Sequence, residues 1–368
     1  MKTLADEEGG QIRVIVAGGG TGGHLFPGLA VAREIMKRHK KARILFVTGK
    51  RKMESEIIML SGFEQTAISV EGLKGKGWKG GMALLKLPWS FLRCLAIMHR
   101  FQPHLVFGVG GYTSGPVCLS AKVLGIPSAV HEQNSYPGVT NRLLGRIVDR
   151  IFISFEDSRE HFCRGALYCT GNPIREQFLQ ERPWSRKDGG FTLLVIGGSQ
   201  GARAINDALV DALAILKDRH RALRVIHQTG VSDHERILAA YRERGLQGEV
   251  SAFIRDMAGA YEQADLVVSR AGAGAIFELA ALRKPSILIP YPFAANNHQE
   301  TNAKVLVKAG GAEMMAQDSL SGRTLADAVM KYMDDPDAIK AMGEAAATVA
   351  RPQAASEITN LLLEMVEP

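Results

Sequence analysis

The sequence predicts an α/β protein of two Rossmann-like, doubly wound parallel-sheet domains facing across a cleft, and three observations carry that expectation. At 368 residues the chain exceeds what one compact core usually holds, so two domains are expected. An apolar run, a glycine turn and a helical pattern follow one another in RVIVAGGGTGGHLFPGLA and again in FTLLVIGGSQGARAINDALVDAL. Through both halves, short apolar runs alternate with amphipathic stretches, the pattern of parallel strands whose crossover helices cover both faces of the sheet.

The first half offers RVIVAGG, a helix from about Pro27 to His39, ARILFVTG, HLVFGVGG, SAVHEQN and RIFIS. The second offers FTLLVIGG and its helix, then LRVIHQTG, EVSAFI, DLVVSRAG and PSILIPYP. Between Gly171 and Gly190, GNPIREQFLQERPWSRKDGG collects Pro, Gly and charge and reads as the linker, giving domains 1–172 and 173–352. QAASEITNLLLEMV reads as an amphipathic helix, and residues 353–368 are expected to pack back on the first domain.

With 46% hydrophobic and 23% charged residues, the composition excludes a disordered or fibrous chain. Cys94, Cys118, Cys163 and Cys169 show neither CxxC spacing nor the density of a secreted scaffold, so buried structural thiols in a reducing compartment are expected. The N-terminal MKTLADEEGGQ carries acids and no apolar signal core, which points to the cytosol. The net charge of +7 is unevenly spread. No Asp or Glu lies between Glu71 and Glu132, where Lys74, Lys76, Lys79, Lys86, Arg93, Arg100 and Lys122 interleave with Trp78, Met82, Leu85, Trp89 and Leu92. MALLKLPWSFLRCLAIM, broken by Lys86, Pro88 and Arg93, is too short and too charged to span a bilayer. Two readings stay open: a helix lying on an anionic lipid surface, each cation contributing about 1 kcal/mol, or a core helix with a solvated basic side. The cations lack the patterns of nucleic-acid readers, so no nucleic-acid partner is expected.

VIVAGGGTGGHLFP satisfies GxGxxG through Gly18, Gly20 and Gly23. A dinucleotide site also needs an acid at the end of the second strand, and that strand ends in Thr48, Gly49 and Lys50. This disfavours a nicotinamide dehydrogenase, and the lack of GxxxxGKS/T excludes a P-loop hydrolase. What remains is a helix N-terminus suited to an anion, and His24, placed either as a general base or as a cap on its own loop. In the second half GGSQG offers Ser199, while SRAGAGAIFELA sets Arg270, Gly272 and Gly274 before a helix whose free N–H groups favour a pyrophosphate. Glu278, one turn in, could accept two ribose hydroxyls. PYPFAANNHQETNA brings Asn296, Asn297, His298, Gln299 and Glu300 to a strand end, where amides suit sugar hydroxyls. The one DxD match, Asp335 to Asp337, reads as a helix start, and no His or Cys shows ligand spacing, so no metal and no other cofactor is expected.

Taken in order, GGGTGGHLFPGLA, EGLKGKG, FGVGGYTSGP, HEQNSYPGVTNRLL, TGNPIR, GGSQGA and SRAGAGAIFE resemble the MurG family, the undecaprenyl-diphospho-muramoylpentapeptide β-N-acetylglucosaminyltransferases of bacterial cell-wall synthesis. Each block is loose alone; the ordered set, from about Val14 to about Ala312, is specific. The resemblance implies a GT-B fold, acceptor domain first and UDP-sugar domain second. It implies inverting transfer of GlcNAc from UDP-GlcNAc to the muramoyl 4-hydroxyl of a polyprenyl-diphosphate lipid at the cytoplasmic membrane face, with cell-wall synthesis proteins as partners.

By the same resemblance, Thr21, Gly22, Gly23 and Asn134 would touch the donor from the first domain, and Arg175 and Ser199 would contact the nucleotide. Ile254 would meet the uracil through its backbone. Ala273, Gly274, Ala275, Ile276, Phe277 and Glu278 would hold pyrophosphate and ribose, Arg270 would support the leaving diphosphate, and Gln299 or Glu300 would meet the sugar. His24, or a water it holds, would take the acceptor proton. Lys74, Lys76, Trp78, Lys79, Met82, Leu85, Trp89 and Tyr112 would face membrane and acceptor. The chain departs from the family at Gly274, Ala275 and Phe277, which removes side-chain donors at 275 and 277, and its loop before Gln299 runs a residue longer. Two other classes stay in view: a nucleotide-sugar epimerase of the same architecture, which needs no lipid-facing basic stretch, and a non-catalytic membrane-associated sugar-binding protein.

Overall fold

The computed structural model describes residues 11–20, 22–69, 78–163, 165–179, 190–198, 200–217 and 223–366, with backbone alone for 53 and 78–87. The chain divides into two compact units, Met1–Arg175 with Arg351–Pro368, and Glu176–Ala350.

The first unit runs β1 (Arg13–Ala17), α1 (Gly22–Arg38), β2 (Arg43–Thr48), α2 (Lys52–Leu60), β3 (Glu64–Ala67), α3 (Trp78–Phe101), β4 (Leu105–Gly108), α4 (Ser114–Val123), β5 (Ser128–Glu132), α5 (Val139–Leu144), β6 (Arg150–Ile153) and β7 (Ala166–Cys169). Its seven strands lie in the order β3-β2-β1-β4-β5-β6-β7, and every neighbouring pair is parallel. Successive residues of β1 point to opposite faces. Val14 and Val16 join Leu25, Leu29 and Ile35 of α1 in one core layer, while Ile15 and Ala17 join Val106, Val117 and Cys118 in the other. Burial on both faces is why these strands read as unbroken apolar runs. The first helix begins at Gly22, five residues before the expected start, with Pro27 inside it. The ring leaves Gly23 C=O without its helical donor, and His24 falls in the first turn.

The second unit runs β8 (Phe191–Ile196), α6 (Arg203–Lys217), β9 (Leu223–Gln228), α7 (His234–Glu243), β10 (Glu249–Ser251), α8 (Met257–Gln263), β11 (Leu266–Ser269), α9 (Ala273–Ala281), β12 (Ser286–Leu288), α10 (His298–Lys308), β13 (Ala312–Met314), α11 (Gly322–Asp334) and α12 (Pro336–Ala347). Its strand order, β10-β9-β8-β11-β12-β13, repeats the winding of the first sheet. The chain then returns to the first unit as α13 (Ala354–Leu363). Ile358, Leu362 and Leu363 enter the core layer of α1, and Arg38 holds Ser356 through its hydroxyl at 2.6 Å and its carbonyl at 3.2 Å.

Two of the four thiols fit the expectation of burial. Cys94 and Cys118 are buried, which pushes both thiols up to about 12. Cys163 is exposed ahead of the partly exposed edge strand β7, and Cys169, the last residue of that strand, is half-buried.

Candidate active site

Each sheet reverses its strand order between its first and fourth strands, β1 and β4 or β8 and β11, and ligands of such sheets bind outside the carboxyl ends at that point. In the first unit two glycine turns meet there. A Cβ on Gly18 would stand 2.4 Å from Val109 Cγ2, and one on Gly111, at φ +78°, 2.4 Å from Gly19 O. Only glycine permits that approach. His24 lies against the second turn, since a Cβ on Gly110 would stand 2.8 Å from its Nδ1. Its Nδ1 is 2.8 Å from Gln133 Oε1. Gln133 Nε2 in turn reaches Val109 O at 3.0 Å and His131 Nδ1 at 2.9 Å. His131 is fully buried, and desolvation of its charged form pushes it down to about 4.

Ahead of α1, the glycine loop is tied to α2. Gly20 N–H donates to Glu54 Oε1 at 2.6 Å, and Gly20 C=O accepts from Arg51, which stands 4.0 Å from the same carboxylate. Glu54 is buried, and its Oε2 has no partner among the described residues. Gly20 is therefore satisfied from within the protein and not held open for an anion. The acid absent from the end of β2 thus stands in the first turn of α2, six residues beyond Thr48, where no spacing rule for a strand-end acid points.

Of the other first-unit candidates, Thr21, Lys74 and Lys76 lie outside the described residues, as do the side chains of Trp78, Lys79, Met82 and Leu85 in α3. Gly22 and Gly23 open α1. Asn134 donates from N–H and Nδ2 to Glu132 Oε1 at 3.0 and 3.3 Å; the other oxygen of that buried carboxylate accepts from Gly138 N–H and Asn141 Nδ2. Arg175 sits at the end of this unit with its guanidinium 4.9 Å above the Phe26 ring, beside the first turns of α1. Tyr112 is exposed, and Trp89 is 76% exposed.

In the second unit Ser199 lies outside the described residues. Around it the turn backs onto the end of β9, where a Cβ on Gly201 would stand 2.2 Å from Thr229 O. Gln228 donates to Gly198 O at 3.1 Å and accepts from Ile254 N–H at 3.0 Å. The expected nucleobase contact at Ile254 is thus narrowed to its carbonyl, because Gln228 already holds the N–H.

At α9 the first intrahelical bond runs from Ile276 N–H to Gly272 O, and no side chain among the described residues caps the helix. Helix geometry leaves the N–H groups of Ala273, Gly274 and Ala275 without intrahelical partners. A Cβ on Gly272 or Gly274 would meet nothing within 4 Å. Ala273, Ile276 and Phe277 are buried in the core, so of the expected pyrophosphate and ribose group Ile276 and Phe277 anchor the helix. Glu278 accepts from Tyr261 OH at 3.4 Å.

Arg270 is engaged within its own unit. It donates to Ile289 O, Pro290 O and, at 2.6 Å, Gln317 Oε1, and stacks on Tyr291. It anchors the loop after β12, drawn there by carbonyls its charge can satisfy. Between the two sugar candidates, Glu300 is committed to Lys304 at 2.7 Å and to Asn297. Gln299 accepts from Tyr291 N–H at 3.0 Å, which leaves its –NH2 for another acceptor. Asp335 caps α12 by accepting from Ala338 N–H at 2.9 Å.

Two parallel sheets wound in the same order, one switch point carrying an imidazole and the other an open helix N-terminus, are the GT-B architecture of nucleotide-sugar enzymes. The models of the glycosyltransferase family 28 N-terminal and C-terminal domains match residues 14–153 and 192–358. A UDP-N-acetylglucosamine–N-acetylmuramyl-(pentapeptide) pyrophosphoryl-undecaprenol N-acetylglucosamine transferase of Syntrophus aciditrophicus is 48% identical over 96% of this chain and 99% of its own. The Myxococcus xanthus protein of the same name is 43% identical over 96% of this chain and 93% of its own. Among solved structures, Acinetobacter baumannii MurG superposes with TM-score 0.78 at 28% identity, over 96% of this chain and 99% of that one. A UDP-N-acetylglucosamine 2-epimerase shares the fold at TM-score 0.69 and 12% identity, over 96% of each. The chain belongs to the MurG family within glycosyltransferase family 28.

Proposed function

We propose that the chain transfers GlcNAc from UDP-GlcNAc to the muramoyl 4-hydroxyl of undecaprenyl-diphosphate-linked MurNAc-pentapeptide, converting lipid I to lipid II, with inversion at the sugar. The observation that carries this reading is the near-full-length identity to transferases named for that reaction. The geometry of each unit agrees with it. On the second unit, the open N-terminus of α9 receives the diphosphate, and the helix dipole stabilises the charge that grows as the bond from the sugar C1 to the β-phosphate oxygen breaks. Glu278 holds the ribose hydroxyls and the Gln299 –NH2 the sugar. On the first unit, His24 takes the proton of the 4-hydroxyl as its oxygen forms the new bond to C1.

Among the described residues no helix is long and apolar enough to cross a membrane. Trp89 and Leu92 on α3 and Leu119, Val123 and Leu124 on and after α4 stand exposed in the acid-free segment, which supports peripheral docking on the anionic cytoplasmic membrane face beside the cell-wall synthesis proteins.

The test is UDP release from UDP-GlcNAc on adding a polyprenyl-diphosphate muramoyl acceptor. Release only with acceptor is expected; release without it, or none, overturns the reading. Under saturating substrates His24→Ala should lose about 100-fold or more in kcat.

A further inference from the structure

We propose that Gln133 and His131 are positioning residues that hold His24 as its Nδ1–H tautomer, leaving the lone pair of the base on Nε2. This rests on the reading of His24 as the base. The two ends of a Gln amide are told apart by their partners. The Gln133 nitrogen faces Val109 O at 3.0 Å and His131 O at 3.1 Å, groups that only accept. That end is therefore –NH2, and the end 2.8 Å from His24 Nδ1 is the oxygen, which cannot donate. His24 Nδ1 must carry the hydrogen, and a neutral imidazole then has its one lone pair on Nε2.

The same reasoning fixes the next member. His131 Nε2 faces Gly171 O at 3.1 Å, so it bears the hydrogen, and His131 Nδ1, 2.9 Å from Gln133 Nε2, shares with His131 O the second of that nitrogen's two hydrogens, the first going to Val109 O. Ser154 Oγ, 3.3 Å from His131 Nε2, sends its own hydrogen to Glu132 O at 3.0 Å. Backbone carbonyls thus set every direction in the chain from Gly171 to His24. Reversing one member would leave like groups face to face in a buried site. Burial also keeps His131 from taking a second proton near neutral pH, which would turn Gln133 round. Gln133 plays the orienting part that a carboxylate plays behind other catalytic histidines, with no charge of its own.

The experiment is a histidine 15N spectrum of the full chain at about pH 8, above the ordinary histidine range, with His24 assigned by the signal lost in His24→Ala. His24 should read as the Nδ1–H tautomer; an Nε2–H reading overturns the proposal on the unmodified protein alone. Gln133→Met should shift that signal toward Nε2–H and lower kcat about 10-fold or more, with KM for UDP-GlcNAc within about twofold. Unchanged turnover in His24→Ala would remove the base reading and leave the tautomer standing.

Discussion

At the switch point of the first unit, Gly20 N–H is held by Glu54 and His24 by Gln133; at that of the second, no side chain among the described residues caps the three leading N–H groups of α9. The sheets are wound alike, so winding does not decide what the crevice holds. A filled crevice positions a side chain, and an open helix terminus positions an anion. Glycine serves both ends. At Gly18 it lets the backbone meet the Val109 side chain, at Gly111 it lets backbone meet backbone, and at Gly272 and Gly274 it leaves space beside the terminus.

The largest effect is expected where the first crevice presses on the imidazole. Gly110→Ala places a methyl 2.8 Å from His24 Nδ1 on a backbone at φ +93°, so the ring must move. We expect kcat to fall about 100-fold or more, with KM for UDP-GlcNAc within about threefold, because the diphosphate, ribose and sugar contacts proposed above are made by residues of the second unit. Steady-state kinetics with donor and acceptor varied separately would check this, and an unchanged kcat would break the comparison.

The units should behave alike in acid. His131 in the first and His227 in the second are buried and pushed down to about 4 by desolvation. Below the ordinary value near 6.5 the unfolded chain binds protons that the folded chain refuses. Stability is therefore complete above about pH 6.5 and is lost as pH falls toward 4. At pH 5 the loss is about 2 kcal/mol per histidine. Urea midpoints at pH 7 and pH 5 measure it. Equal midpoints would mean that the two polar networks relax enough to admit the charge.

These details also show what the sequence carries. The central strands of both sheets are legible because burial on both faces leaves an unbroken apolar run. Of the four edge strands, β3, β7 and β13 are three or four residues long and partly exposed, so GFEQTA, ALYC and AEM carry no such signal. His24 is legible from its glycine turn. Glu54 and Gln133 are not, because their roles depend on strands brought together by the fold: Gln133 acts 109 positions from His24. The partners of Arg270 are hidden for a related reason. A cation at a strand end reads as a phosphate ligand until β12 supplies the carbonyls that hold it.

The smallest effect is the most direct reading of the open terminus. Gly274 is the second residue of α9, and a Cβ there meets nothing within 4 Å. Gly274→Asp should therefore fit, and a carboxylate in the first turn should stabilise the unit by about 0.3–1 kcal/mol through the helix dipole. The same charge would face the diphosphate, so KM for UDP-GlcNAc should rise about 10-fold, near 1.4 kcal/mol. Gly274→Asn has the same shape without the charge and should raise KM less, and the gap between the two should narrow as salt screens it. Stability and donor binding would then move in opposite directions at one position. Equal KM for Asp and Asn would place the diphosphate elsewhere, and the contrast between the two switch points would fail with it.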